Sequence, residues 1–151
     1  MKNEAIYKIR PAGRHLLTIG SDLIQDSYAA VIELVKNAYD ADSPDVSIKF
    51  QAVPGKKEYE FIISDHGHGM SLGTIKGKWL VPSTNDKLER QISPSGRIMQ
   101  GSKGIGRYAA AILGNRLFLE TVAENGEMNT LTINWEDFKN AEFLDDVPIL
   151  V

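Results

Sequence analysis

The sequence predicts an α/β fold: a two-layer sandwich in which a mostly antiparallel mixed sheet carries helices on one face. Two observations predict it. Two stretches with helical spacing are each followed by a pair of strand-like runs joined by turn residues. The βαβ alternation of a doubly wound parallel sheet is absent. The chain has 151 residues, 42% of them hydrophobic and 25% charged, which suits one soluble domain spanning residues 1–151 around a single core.

The elements follow in order. Residues 21–41 carry Ile24, Tyr28, Val31, Leu34, Val35 and Ala38 at i, i+3 and i+4 spacing, with Ser21 or Asp22 as the expected N-cap. "SPD" at 43–45 stops this helix, and "DVSIKF" then alternates Val46, Ile48 and Phe50 on one face. "PGKK" at 54–57 is turn chemistry, and "EYEFIIS" is the hairpin partner, ending near Asp65. Residues 71–81 hold a short helix weakened by two glycines. From Pro82 to Gly106 the chain is rich in Ser, Pro, Asn, Gly and Lys, and a stretch of that length marks a candidate lid. "IGRYAAAILG" resumes a helix closed by Gly114, and "RLFLETVA", "ENGE" and "MNTLTINW" make a second hairpin. The tail "AEFLDDVPILV" ends on an apolar run without a stop signal, as expected for the N-terminal part of a longer protein.

Composition narrows the chemistry. A net charge of −3 gives no overall footprint for nucleic acid. The absence of cysteine excludes disulfide scaffolds, thiolate metal sites and cysteine nucleophiles. No apolar run reaches the roughly 18 residues of a membrane helix and the N-terminus lacks a signal-like apolar middle, so a cytoplasmic protein without membrane contact is expected.

"ELVKNAYDAD", Glu33 to Asp42, sets an acid, an amide and further acids among apolar residues. Glu33, Asn37 and Asp40 project from one side of the helix, while Ile32, Leu34, Val35, Ala38 and Tyr39 cover most of the rest, so the helix reads as buried almost all round. Two readings stay open. The stripe either faces solvent, with Glu33 paired to Lys36, or meets a ligand. In the second case the Asn37 amide oxygen coordinates magnesium and Glu33 takes a proton from water.

Two glycine motifs follow. In "SDHGHGM", Ser64 to Met70, an aspartate at a strand end precedes Gly67 and Gly69, which suits either an ordinary Asp/Gly turn or one over which a flat ligand lies, with Asp65 accepting from an exocyclic amine. His66 and His68 have no third metal ligand at a recognised spacing. "GSKGIGRYAA", Gly101 to Ala110, places three glycines before an apolar helix, a ready phosphate site or a merely flexible loop. It is neither the dinucleotide motif nor a P-loop. Trp79 and Trp135 read as packing residues rather than base-stacking platforms.

Taken together, these stretches resemble the GHKL ATPase superfamily, which includes gyrase B, the ninety-kilodalton heat-shock chaperone, MutL, MORC proteins and the ATP-binding domains of histidine kinases. "ELVKNAYDAD" resembles its N box, "DHGHGM" its D-x-G-x-G box and "GSKGIGRYAA" its second glycine box, and the likeness spans Ser21 to about Trp135. "WLVPSTNDK" is similar to the chaperone-like and MORC-like branch, although Lys103 stands where the chaperone has an aromatic. The resemblance implies the Bergerat ATP-binding fold with residues 82–106 as its ATP lid, and magnesium-dependent binding and hydrolysis of ATP driving a conformational or dimerisation switch.

By the same resemblance, Glu33 is the catalytic general base, Asn37 the magnesium ligand and Asp40 an acid near the pocket wall. Asp65 reads the adenine amine, with Gly67, Gly69 and Met70 beside the base and Thr121 supporting Asp65 through water. Gly101, Ser102, Lys103, Gly104, Ile105 and Gly106 cradle phosphate, and Thr84 and Lys87 make lid contacts. A homodimer through the N-terminal segment Met1 to Gly20 or through the lid is implied, and nucleic acid or a client protein is a further expected partner through other domains. The alternatives are a histidine kinase-type phosphoryl-transfer domain, for which His15, His66 and His68 lie in no suitable helical hairpin, and a nucleotide-binding regulatory module without turnover.

Overall fold

A computed structural model describes residues 8–81, 91–101 and 106–151, with backbone alone at 106 and 107. The first helical stretch is two helices rather than one. α1 spans His15–Leu23 and α2 spans Ser27–Asp40. Ile24 takes an extended conformation between them, and Asp26, rather than Ser21 or Asp22, caps α2 by accepting the Ala29 N–H at 2.8 Å. A cap satisfying an orphan donor outweighs the propensity of two intervening residues to continue the helix.

The two hairpins form where alternation and turn residues place them. β1 (Val46–Ala52) pairs antiparallel with β2 (Tyr59–Asp65), with Val46 opposite Asp65 and Ala52 opposite Tyr59. Phe50 and Tyr59 stack at 5.3 Å across this ladder, a diagonal contact that fixes register. Between the hairpins, α3 (Leu72–Thr74) runs into a π-helical turn at Ile75–Trp79. A 3-10 turn at Gly106–Ala109 leads into α4 (Ala110–Leu113), which ends at Gly114. β3 (Arg116–Val122) pairs antiparallel with β4 (Met128–Asn134), and α5 (Trp135–Asn140) follows directly.

The architecture is the expected α/β arrangement of antiparallel strands and helices. Among the described residues the ladders are two two-stranded sheets, all antiparallel. The hairpins are joined by side-chain bonds beyond the end of β2, where the Met70 N–H donates to Thr121 Oγ1 on β3 at 2.9 Å. The core lies between β4, α1, α5, the π-helical turn and the 3-10 turn: Leu16, Ile75, Tyr108, Leu131, Ile133, Trp135 and Phe138 are buried together. Each such aliphatic or aromatic side chain contributes roughly 1.5–3 kcal/mol by leaving water. Trp135 is buried in it and Trp79 packs against it, as their sequence context suggests.

α2 is less enclosed than its composition implies. Ala30 is fully buried and packs with Ile24 and Ala109, supported by Leu34, Ile112 and Leu113. Tyr28 is 80% exposed and Ile32 54% exposed, because among the described residues the helix packs chiefly along the Gly106–Leu113 segment and its opposite flank is uncovered. The expectation of burial almost all round is therefore corrected to burial along one stripe.

Candidate functional site

The C-terminal end of α2 is the place where the chemistry-bearing segments converge. Asp40, the last residue of the helix, is 5% exposed, and its two oxygens accept the backbone N–H groups of Gln100 at 2.7 Å and Gly101 at 3.0 Å. A carboxylate taking two backbone donors is a charge-assisted anchor, and it ties the start of the glycine-rich stretch to the helix that carries Glu33 and Asn37.

The Asp-Gly turn docks on the same helix end. Ala41 O accepts the His68 N–H at 3.0 Å, and Ser43 Oγ accepts the His66 N–H at 2.8 Å. Gly67 is required by this approach: a Cβ there would stand 2.6 Å from Ala41 O. Gly69 is required twice over, because its φ is +63° and a Cβ would fall 1.9 Å from Val122 O on β3. The next residue, Met70, has both backbone groups held. Its N–H donates to Thr121 Oγ1, and its carbonyl accepts from Asn129 Nδ2 at 3.3 Å. The turn is thus wedged between α2 and the second hairpin.

Asp65 ends β2 with an exposed side chain. Its Oδ1 accepts the Gly67 N–H at 2.8 Å, which fixes the carboxylate, while Oδ2 carries no hydrogen bond among the described residues. One oxygen is structural and the other is available to an incoming donor. Next to it His66 Nδ1 lies 2.7 Å from Asp45 Oδ1, and that carboxylate raises the imidazole pKa above its ordinary value.

On α2, Glu33 Oε1 is 2.8 Å from Lys36 Nζ, and the two side chains are 29% and 37% exposed. The ion pair of the solvent-facing reading is formed, on a half-buried face that also carries Asn37 one turn on. Glu33 Oε2 has no partner among the described residues. The same residues show no cluster of three or more His, Asp or Glu side chains able to hold a metal by themselves.

Of the residues singled out from sequence, Glu33, Asn37 and Asp40 share α2, and Asp65, Gly67, Gly69, Met70 and Thr121 form the wedged turn and its support. Gly101 is buried against Asp40, and Gly106 opens the 3-10 turn. Thr84, Lys87, Ser102, Lys103, Gly104 and Ile105 lie outside the described residues. The Thr121 hydroxyl accepts the Met70 N–H. Asp40 acts as the anchor of the 100–101 backbone. Cavities of about 340 and 680 Å³ lie elsewhere, around α1, α5 and the 144–149 segment.

Residues 25–149 match the family described as histidine kinase-, DNA gyrase B- and HSP90-like ATPase. The chain belongs to this ATPase family. A further match is to a protein of Herpetosiphon aurantiacus named "Putative type II restriction enzyme HgiDII", 36% identical over 78 residues, which is 52% of this chain and 12% of that protein. The chain thus spans only a small part of this relative. Among the described residues, no helix of the ATPase-family chain is long and apolar enough to cross a membrane.

Sequence reasoning missed four residues of this region: Asp42, and Ser93, Ser95 and Arg97, which meet it from more than 50 positions away. Asp42 counted only as one of the further acids closing "ELVKNAYDAD", and the serines lay inside a run that looked structureless. A pairing this remote in sequence has no periodic signature.

Proposed function

We propose that this ATPase-family chain binds ATP with magnesium at the end of α2 and hydrolyses it, and that the cycle drives a conformational or dimerisation switch in the whole protein. The observation that carries the proposal is the wedged Asp-Gly turn. Gly67 and Gly69 permit backbone approaches of a kind no side chain allows, and they hold Asp65 with one oxygen fixed and the other open. That arrangement suits recognition of an exocyclic amine by an acceptor that does not need to reorganise.

The residues fit a magnesium ion that keeps most of its sites for phosphate and water: one amide oxygen, Asn37, faces the same side as Glu33, and no dedicated carboxylate cage is needed. When bound, magnesium neutralises charge on the phosphates. Glu33 then holds the attacking water through Oε2 while Lys36 fixes Oε1. The water oxygen forms a bond to the γ-phosphorus as the bond to the β,γ-bridging oxygen breaks, and the water's proton passes to the Glu33 carboxylate. Gly101, whose own N–H is taken by Asp40, fixes the start of the stretch from which the glycines after it bring backbone donors to the phosphates.

Asp65→Asn replaces the open acceptor with a donor, so calorimetric titration of a magnesium-bound, non-hydrolysable ATP analogue into wild type and Asp65→Asn tests the binding half. Turnover by wild type and Glu33→Ala tests the chemical half. Binding lost in Asp65→Asn and turnover lost in Glu33→Ala support the proposal; a folded wild type that binds no nucleotide refutes it. Binding without turnover favours a regulatory module, and transfer to a protein histidine instead of water favours the kinase-type alternative. The Herpetosiphon relative's name makes DNA the partner to try first for the whole protein, through domains other than this one.

A further inference from the structure

Residues 91–100, in the middle of the expected lid, form a small hairpin. Ile92 bridges Ile98, Ser93 N donates to Arg97 O at 2.8 Å, and Met99 N donates to Gln91 O at 3.0 Å. The turn of this hairpin is gripped by one side chain from the end of α2. Asp42 sits at φ 61° and accepts from Ser93 Oγ at 2.5 Å, from the Ser95 N–H at 3.0 Å and from Ser95 Oγ.

Arg97 closes the clamp from the other side. It donates to Ser43 O at 2.8 Å and Tyr39 O at 3.3 Å, lies 5.0 Å over the Tyr39 ring, and its Nε is 3.9 Å from Asp42 Oδ1. Every one of these partners on the helix side lies within Tyr39 to Ser43, directly after the turn that carries Asn37. Immediately downstream, Gln100 and Gly101 are fixed by Asp40. The clamp is therefore continuous with the anchor of the glycine-rich stretch.

We propose that Asp42 and Arg97 are positioning residues for the phosphate end of the nucleotide site: by locking the 91–100 hairpin to the end of α2, they set where Gly101 stands relative to Asn37. The proposal rests on the nucleotide reading above. Asp65 is held by Gly67 and its turn by Ala41 O, Ser43 Oγ and Thr121 Oγ1, and the Asp42 side chain makes none of these bonds, so removing that side chain leaves the bonds of the adenine end in place. The Ser93 and Ser95 hydroxyls hold the clamp carboxylate's pKa down to about 2, so its charge persists into the acid range.

The test compares two ligands on one variant. Asp42→Gly removes the side chain at a left-handed position that glycine tolerates, so no backbone strain is introduced. Calorimetry with the magnesium-bound ATP analogue and with adenosine should show the analogue weakened about tenfold, as when only one molecule in ten keeps the phosphate end in place, and adenosine unchanged. Asp42→Asn, which retains one acceptor, should recover part of the loss. If Asp42→Gly does not fold, Ser93→Ala/Ser95→Ala removes the hydroxyl partners from the opposite side and carries the same comparison. Equal weakening of both ligands, or of neither, overturns the inference and leaves the nucleotide reading standing. A folded wild type that binds neither ligand overturns both.

Discussion

Replacing Gly69 by alanine is the sharpest test of how the Asp-Gly turn is built. The residue is left-handed at φ +63°, which costs a side-chain-bearing residue about 1–2 kcal/mol. The added Cβ would stand 1.9 Å from Val122 O where ordinary contact begins at 3.4 Å, so the turn and β3 must part by about 1.5 Å. That movement takes the Met70–Thr121 bond of 2.9 Å and the Asn129–Met70 bond of 3.3 Å out of range. Two such bonds contribute about 1–3 kcal/mol between them, and with the backbone strain the loss reaches about 2–5 kcal/mol. Gly55 supplies the control, because its φ is +75° with nothing within 4 Å of the built Cβ, so Gly55→Ala carries the strain alone. Urea denaturation followed by circular dichroism gives both values on one scale. If Gly69→Ala is no more destabilising than Gly55→Ala, the turn is not wedged against β3, and the proposed placement of Asp65 loses its foundation.

Three further outcomes are expected. Asp40→Asn leaves one of two backbone donors facing an amide N–H₂ in a buried site, and should cost about 1.5–3 kcal/mol by the same denaturation assay. Leu131→Ala, in a position 1% exposed at the centre of the core, should cost about 2–5 kcal/mol. NMR titration should place His66 above the ordinary histidine value of about 6.5, and Asp45→Asn should return it; its pairing contributes fully below that pH and is lost as pH rises through the raised pKa. Asp42 behaves in the opposite sense, with its depressed pKa: its contribution is complete above about pH 4 and fades as pH falls towards 2.

The hairpins were legible because alternation and turn residues are local, and the observed ladders Val46–Ala52 with Tyr59–Asp65 and Arg116–Val122 with Met128–Asn134 lie where those signals put them. The site's residue types were legible for the same reason, since Glu33 and Asn37 are one helical turn apart and Gly67 and Gly69 follow Asp65 directly. The break at Ile24 was not, because it depends on Asp26 winning the Ala29 N–H over helix continuation. Nor was the hairpin at 91–100, whose turn is bonded to Asp42 and Ser43, residues more than 50 positions away in sequence. The exposure of Tyr28 and Ile32 was missed because periodicity reports which residues share a face, not whether another element covers it.

The pairing of Glu33 with Lys36 bears on both readings of the α2 stripe, and they are compatible. A helical ion pair as exposed as this one stabilises by about 0.3–0.5 kcal/mol, so it is cheap to keep and cheap to rearrange. It satisfies one oxygen of the acid, and in the proposed reaction the second oxygen is the one that takes the water. A fully buried, unpaired carboxylate at the same position would have destabilised the helix before any ligand arrived. Half-burial beside a lysine is the condition under which a helix can carry a candidate base on its surface, hold its orientation and still fold by its Ala30 face alone.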